Sequence, residues 1–170
     1  MSNVKPMEPM VDNLILFWVD KLEREFALTG KKVDFAPWAT YFAYDVVSKL
    51  AFGTELGFME QGYDIDNLIR SFHEGMVPFG IMSRLHPVMR ALKDTWFSDK
   101  FLIPKSGDAS GIGNIMKFRD NLIDARVEEN KKFPERAAGK KDLLQAFLAA
   151  RDLEDGIDME DLKAETLLML

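Results

Sequence analysis

Apolar residues recur at intervals of three and four along most of this sequence, and that spacing constrains its fold more than any other feature. The first series consists of Val11, Ile15, Trp18, Leu22 and Phe26. Positions three and four apart lie on one face of an α-helix, because a turn takes about 3.6 residues. The series therefore predicts an amphipathic helix, which Gly30 ends, and its repetition along the chain predicts a mainly α-helical fold.

The second helical segment is the most apolar part of the chain. Asp34 offers a carboxylate to cap its first turn, and Gly53 follows its last residue, Phe52. One side carries Trp38, Phe42, Val46 and Leu50, and the opposite side carries Ala39, Ala43 and Val47. Its only charged residues, Asp45 and Lys49, stand four apart and are expected to pair at a solvent-facing edge. The segment is therefore predicted to be buried on its other sides, at the centre of the core.

A third helix is predicted to begin at Asp64. Its apolar face consists of Ile65, Ile69, Phe72, Met76 and Phe79. Pro78 should end or kink this helix, because proline removes a backbone donor and clashes with the preceding turn. A short helix is predicted over Val88–Phe97, within a stretch of weaker periodicity.

The last part of the chain contains three further predicted helices. The first follows the glycine-rich stretch Ser106–Gly113 and runs to about Lys132, and a polar loop around Pro134 comes after it. Asp142 begins the next helix and Asp158 caps the last. No glycine, asparagine or cation closes that last helix, so we expect the sequence to stop inside a buried helix. Residues 1–170 are then a single partial domain with no separate second domain.

Composition and charge exclude several functional classes. The formal net charge is -6 with acidic and basic residues intermixed, so no basic stripe is present to bind the phosphates of a nucleic acid. No apolar run approaches the roughly 18 to 20 residues that cross a bilayer. Residues 1–9 lack the layout of a signal peptide, so neither an anchor nor a signal is expected here. The absence of cysteine removes disulfides, thiolate ligands and cysteine nucleophiles.

Short motifs that would indicate chemistry are incomplete. His73-Glu74 begins like the helix of a zinc metalloprotease, yet Val77 stands where the second histidine is needed, and His86 is the only other histidine. The glycines of Ser106–Gly113 match no phosphate-binding pattern, and the acidic residues between 152 and 158 lack the alternation of a calcium loop. The sequence therefore predicts no catalytic, cofactor-binding or metal-binding residue in this chain.

Several stretches together resemble a known family. Val33–Trp38 and Tyr44–Gly53 follow the order found in the first half of cytochromes P450, an aromatic-rich start, then Asp-Val, then Phe-Gly. The next stretch, Leu56–Asp64, is similar to the fungal pisatin-demethylase and benzoate-hydroxylase type. Four later stretches agree in the same order: Leu85–Met89, Gly107–Gly113, Asp142–Phe147 and Leu162–Leu170. The last of them resembles the beginning of the family's long central helix, so the chain resembles an internal fragment of a cytochrome P450.

The resemblance implies an oxidoreductase that inserts one oxygen atom from O2 into an apolar or aromatic small molecule. The full-length family is a haem-thiolate monooxygenase that takes electrons from an NADPH-dependent reductase on the cytosolic face of the endoplasmic-reticulum membrane. The chain departs from the family pattern, because it lacks the cysteine ligand, the Glu-x-x-Arg pair and the oxygen-activating Ala-Gly-x-Asp-Thr-Thr stretch. It is therefore expected to hold no haem (iron protoporphyrin IX) by itself and to be inactive alone.

Five apolar residues resemble, by position, the lining of the roof of the family's substrate pocket. They are Phe72, Met76, Phe79, Met82 and Ile115. The alternative for these residues is ordinary core, because an apolar stripe packs against something in either case. The alternative for the whole chain is a cofactor-free helical interaction domain, which would bind a partner protein through its Met- and Phe-rich faces.

Overall fold

The regular elements of this protein are helices wherever the structure describes it. The computed structural model describes residues 7–85, 87–88, 90, 95, 105–108, 111–151 and 156–170, without the side chains of Phe79 and Ala138. Those residues contain no strand, so the mainly α-helical fold expected from the sequence is confirmed. The short helix expected over Val88–Phe97 falls largely outside the described residues.

The helices are labelled in chain order. They are α1 (Glu8–Leu22), α2 (Phe35–Phe52), α3 (Phe58–Gln61), α4 (Leu68–Arg84), α5 (Gly111–Lys132), α6 (Pro134–Gly139), α7 (Leu143–Arg151) and α8 (Met159–Leu167). A π-helical turn, Glu23–Ala27, extends α1 toward Gly30, whose φ of 68° reverses the chain. The predicted end of the first helix at Gly30 is thus confirmed.

Both ends of α2 lie where the sequence placed them. The carboxylate of Asp34 accepts a hydrogen bond from the amide of Ala36 at 3.3 Å, and Gly53 closes the helix with a φ of 73°. The helix packs against α1, where the ring of Phe42 stacks on that of Trp18 with their centroids 4.9 Å apart. Local capping residues therefore set the length of this helix, and aromatic rings join it to α1.

The burial of the residues on each side of α2 differs from the prediction. Trp38 and Phe52 are buried, but Ala43 is exposed and Val47 is 45% exposed. Asp45, expected at the solvent edge, is only 1% exposed. Residues two positions apart point in nearly opposite directions, about 200° around a helix. Because Asp45 faces inward, Ala43 and Val47 face outward, and the expectations of all-round burial and of an exposed Asp45 are both wrong.

Helix α4 begins later than predicted and passes through its proline. Asp66 and Asn67 both have a left-handed backbone, with φ of 51° and 53°, so the first helical residue is Leu68. A 3-10 turn, Ile65–Asn67, begins directly after Asp64, and the α-helix itself starts three residues later than predicted. Pro78 lies inside the helix, which continues beyond it. Proline removes one hydrogen bond of the helical ladder, and here the flanking turns keep the helix intact.

The C-terminal helices follow their predicted caps. Asp142 accepts a hydrogen bond from the amide of Gln145 at 2.8 Å, and Asp158 accepts one from the amide of Asp161 at 2.7 Å. Helix α6 replaces the expected polar loop. It begins at Pro134, because proline at the first helical position has no amide hydrogen to lose and its fixed φ suits a helix.

The described residues form two units. The first joins the residues up to Ile65 with those from Arg126 onward, and the second is Asp66–Ala125. Buried apolar residues of the first unit include Phe52, Phe58, Met59, Leu144, Leu148 and Leu162, and those of the second are Leu68, Ile115 and Ile123. No described helix is long and apolar enough to cross a membrane. The single domain expected from the sequence remains a prediction.

Candidate functional site

The residues predicted to line a substrate pocket all belong to the second unit. Phe72 and Met76 on α4 are 40% and 45% exposed, Met82 is half-buried, and Ile115 on α5 is 6% exposed. Phe79 also belongs to α4, but its side chain falls outside the described residues. Within the described chain, Ile115 is therefore a core residue, whereas Phe72 and Met76 are not. Their lining role stays a prediction.

A different face of α4 is buried. Leu68 and Ser71 are each 2% exposed, and Gly75 is buried on the same face. A Cβ atom on Gly75 would lie 2.7 Å from Cδ1 of Ile112 and 3.2 Å from its backbone nitrogen. Because glycine has no such atom, α4 and α5 approach closely at this point. The more apolar stripe containing Phe72 is left exposed.

The side chain of Asn114, on α5, binds the beginning of α4. Its Nδ2 donates one hydrogen bond to the carbonyl oxygen of Asp66 and another to Oγ of Ser71, both at 2.9 Å. Together with Gly75, these contacts fix α4 against α5 at two successive turns. The contacts link residues more than 40 positions apart in the sequence.

The buried carboxylate of Asp45 accepts three backbone hydrogen bonds in the first unit. Its Oδ1 accepts hydrogen bonds from the amides of Gly57 (2.8 Å) and Phe58 (3.1 Å), and its Oδ2 accepts one from Met59 (2.8 Å). These are the amides of the residue that precedes α3 and of its first two residues, so the carboxylate caps that helix from the interior of α2. The expected pairing of Asp45 with Lys49 is wrong, because Lys49 instead binds Glu55 at 2.9 Å.

Aromatic rings cover the short helix that Asp45 caps. The rings of Tyr41 and Tyr44 lie 6.1 Å and 5.3 Å from that of Phe58, which is fully buried. Burial raises the pKa of Tyr44, and the negative charge of Asp64 raises it further. Both effects favour the neutral phenol, and the ring packs against Phe58.

A buried ion pair in the first unit connects the interior of α5 with the end of α2 and the beginning of α7. Nη1 of Arg126 donates to both carboxylate oxygens of Asp142, at 2.9 and 2.8 Å, and Nη2 donates to the carbonyl oxygen of Phe52. The side chains of Arg126 and Asp142 are 7% and 5% exposed. Asp142 also caps α7 through the amide of Gln145. Sequence reasoning found the cap but missed the arginine, because its partners are distant in the sequence.

Lys140, which lies near this pair, has a carboxylate partner of its own. Lys140 donates a hydrogen bond to Glu129 at 2.5 Å, and this bond, followed by the nearby positive charges, lowers the pKa of the Glu129 carboxyl. A cavity of about 260 Å³ lies beside these groups and is also lined by Met7 and Leu50. Three of the cations that line this cavity, Lys49, Arg126 and Lys140, are paired with carboxylates.

Replacing Gly53 with alanine is expected to lower the free energy of unfolding by roughly 2 to 4 kcal/mol. Alanine is strained in the left-handed backbone conformation of this position, and its Cβ would also clash with a neighbouring side chain. The new Cβ would lie 2.6 Å from Oδ2 of Asp142, which cannot retreat without leaving Arg126. Gly30→Ala is the matched control, because its φ is 68° but no atom lies within 4 Å. Urea denaturation of both variants measures the difference, and equal losses would contradict a tight contact at Gly53.

A profile of the cytochrome P450 family matches residues 1–170. The chain belongs to the cytochrome P450 family. It is 36% identical to the quiannulatic acid synthase of Emericella variicolor over 175 residues, covering 100% of this chain and 34% of that protein. It is 30% identical to the cytochrome P450 monooxygenase mpaDE of Penicillium brevicompactum, covering 87% of this chain and 16% of that protein. No solved structure matches.

A third fungal P450, the monooxygenase pkfB of Emericella nidulans, is 29% identical over 87% of this chain and 28% of its own length. The chain thus spans about a third or less of the length of these curated relatives. The P450 resemblance identified from the sequence is confirmed, whereas the narrower pisatin-demethylase and benzoate-hydroxylase type stays a prediction.

The P450 family uses haem, and the residues of this chain do not fit that group. The sequence contains no cysteine to supply a thiolate. Among the described residues, no group of three or more histidine, cysteine, aspartate or glutamate side chains is arranged to hold a metal ion. Nδ1 of His73 lies 2.8 Å from the carbonyl oxygen of Ile69, so a local hydrogen bond engages one ring nitrogen. Residues 1–170 therefore contain no thiolate ligand for a haem iron.

Proposed function

We propose that this chain is part of a P450 monooxygenase that inserts one oxygen atom from O2 into an apolar or aromatic small molecule, and that α4 and α5 form the roof of its substrate pocket. The observation that supports this pocket roof is the exposure of Phe72 and Met76, which lie beside the face of α4 that is anchored at Ser71 and Gly75. Family membership across residues 1–170 and the P450 monooxygenases among the relatives support the reaction.

The chemistry of the exposed stripe favours an apolar substrate. A phenylalanine ring and a flexible methionine thioether adapt to an apolar ligand of irregular shape. Binding pockets for small molecules are mostly lined by such side chains, with few polar groups. One relative is named a synthase of quiannulatic acid, an organic acid, and a small organic substrate of this chain's complete protein is consistent with that name. The Leu56–Asp64 stretch supports the pisatin-demethylase and benzoate-hydroxylase type as the narrower proposal.

The complete protein would obtain its haem ligand from sequence other than residues 1–170. We propose a cysteine thiolate there, electrons from an NADPH-dependent reductase, and a location on the cytosolic face of the endoplasmic-reticulum membrane. The support is family membership, since all of these features belong to the P450 class that the chain resembles.

The chain of residues 1–170, reduced and mixed with haemin and carbon monoxide, is expected to show none of the thiolate-type absorption that gives the family its name. The reason is the missing ligand, because the sequence has no cysteine. The product of the complete transcript is expected to show that band in the same measurement. Replacing its axial cysteine with serine should abolish the band.

Two results would contradict the proposal. A thiolate-type band from residues 1–170 alone would contradict the inference that this chain lacks the haem ligand. A complete transcript that encodes neither Ala-Gly-x-Asp-Thr-Thr after Leu170 nor a later cysteine loop would instead favour the cofactor-free interaction domain.

A further inference from the structure

The segment that leads into α4 has an unusual backbone. Asp66 and Asn67 are consecutive and both left-handed, with φ, ψ of 51°, 21° and 53°, 34°. Among the described residues, they are the only non-glycine residues with positive φ. Asparagine and aspartate tolerate this conformation better than other side-chain-bearing residues, yet it persists only where the surroundings hold it. The turn therefore needs an external contact that keeps it in place.

Asn114 supplies that contact. Its amide nitrogen has two hydrogens, and both are used, one by the carbonyl oxygen of Asp66 and one by Oγ of Ser71. A carbonyl oxygen can only accept, so the nitrogen end of the Asn114 amide must face the turn. Ser71 is 2% exposed, which shields its part of the contact from water. The site thus requires a short side chain that donates two hydrogen bonds.

The same contact sets the direction in which α4 presents its apolar residues. Ser71 and Gly75 lie four residues apart on the face that meets α5, at Asn114 and Ile112 respectively. Phe72 and Met76 each follow an anchored residue by one position, which is about 100° around the helix. Fixing the two anchored residues therefore fixes where Phe72 and Met76 point.

We propose that Asn114 is a positioning residue of this P450, which holds the strained Asp66–Asn67 turn and thereby orients Phe72 and Met76 toward the substrate. The effect on the substrate rests on the proposed function. The stabilisation of the turn by Asn114 does not rest on the proposed function, because it depends only on contacts within the second unit.

A double-mutant cycle in the complete haem protein tests whether Asn114 stabilises the Asp66–Asn67 turn. Asn114→Asp keeps the size of the side chain but replaces both donated hydrogens with an oxygen that repels the carbonyl of Asp66. Amide hydrogen exchange at residues 68–72 is expected to accelerate by about tenfold or more, since local opening becomes easier. In an Asn67→Gly background the acceleration should be at least about threefold smaller, because glycine adopts positive φ without strain. An equal acceleration in both backgrounds would overturn the proposal.

Ligand binding tests the orientation of Phe72 and Met76. Imidazole and 1-phenylimidazole form a matched pair of probes, because the second adds an aromatic ring that must fit the pocket. Asn114→Asp is expected to weaken the binding of 1-phenylimidazole, measured from the haem spectrum, by about tenfold while leaving imidazole binding unchanged, and Asn67→Gly should partly restore the affinity. Equal weakening of both probes, or no weakening, would overturn the orienting role. If the complete protein gave no thiolate-type carbon monoxide band, the proposed function would be wrong. The hydrogen-exchange measurement would still show whether Asn114 stabilises the turn.

Discussion

Replacing Asp45 with asparagine is expected to lower the free energy of unfolding by about 3 to 5 kcal/mol, because at least one buried amide loses its acceptor and the others lose a charged one, at about 1 to 3 kcal/mol each. The carboxylate is 1% exposed and accepts the amide hydrogens of Gly57, Phe58 and Met59. Asparagine has a single acceptor oxygen, so its NH2 group would face at least one of those amides, donor against donor. A lower urea midpoint with an unchanged denaturant slope would measure the loss.

Asp34→Asn is the matched control, since it makes the same substitution at the residue that caps the beginning of α2. Asp34 is exposed and accepts one amide hydrogen, from Ala36 at 3.3 Å. Asparagine caps a helix about as well as aspartate, so the free energy of unfolding should change by less than about 0.5 kcal/mol. A comparable loss at both positions would show that the three amides around Asp45 contribute little.

Features set by neighbouring residues were predictable from the sequence. The cap at Asp34, the left-handed glycine at Gly53 and the cap at Asp158 each act within one helical turn. The sequence therefore located α2 and α8 correctly, and it also located α5 after its glycine-rich start. Such signals need no knowledge of the tertiary structure, because the groups that satisfy one another are close in the sequence.

The environment of Asp45 was not predictable in the same way. On an isolated helix, Lys49 is the nearest opposite charge, and pairing at that spacing is the ordinary expectation. The folded chain instead brings a row of fixed amides from α3 to the carboxylate, and directed hydrogen bonds to a buried charge are stronger than an exposed ion pair. The available signal was an aspartate in a nearly uncharged helix, followed by a segment bounded by Gly53 and Gly57.

The orientation of α4 shows where apolar periodicity fails. Its most apolar stripe, with Phe72 and Met76, is exposed, whereas the buried face contains Ser71 and Gly75. Small residues allow α5 to approach, and a hydrogen bond from Asn114 adds to that contact. Periodicity counts hydrophobic side chains but does not measure close approach or long-range hydrogen bonds. The candidate pocket residues could therefore be named from the sequence, although their exposure could not.

Replacing Arg126 with alanine is expected to lower the free energy of unfolding by about 3 to 5 kcal/mol, because it leaves the buried carboxylate of Asp142 without its partner. The carbonyl oxygen of Phe52 loses a donor as well. Asp142→Asn in the same chain should cost less than in the wild type, since no unpaired charge then remains, while its Oδ1 still accepts from Gln145. Urea denaturation of the two single variants and the double variant gives this coupling.

The exposed pair on the same helix provides the control for that cycle. Lys132 lies 3.3 Å from Glu128, with side chains 67% and 70% exposed, so Lys132→Ala should cost less than about 1 kcal/mol. A loss at Arg126 no larger than at Lys132 would mean that the buried pair adds nothing. The pair also contributes to the expected cost of a side chain at Gly53, because the guanidinium holds Asp142 within 2.6 Å of the position that a Cβ would occupy. Once Arg126 is alanine, Asp142 is free to rotate away, and Gly53→Ala should then cost less than it does in the wild type.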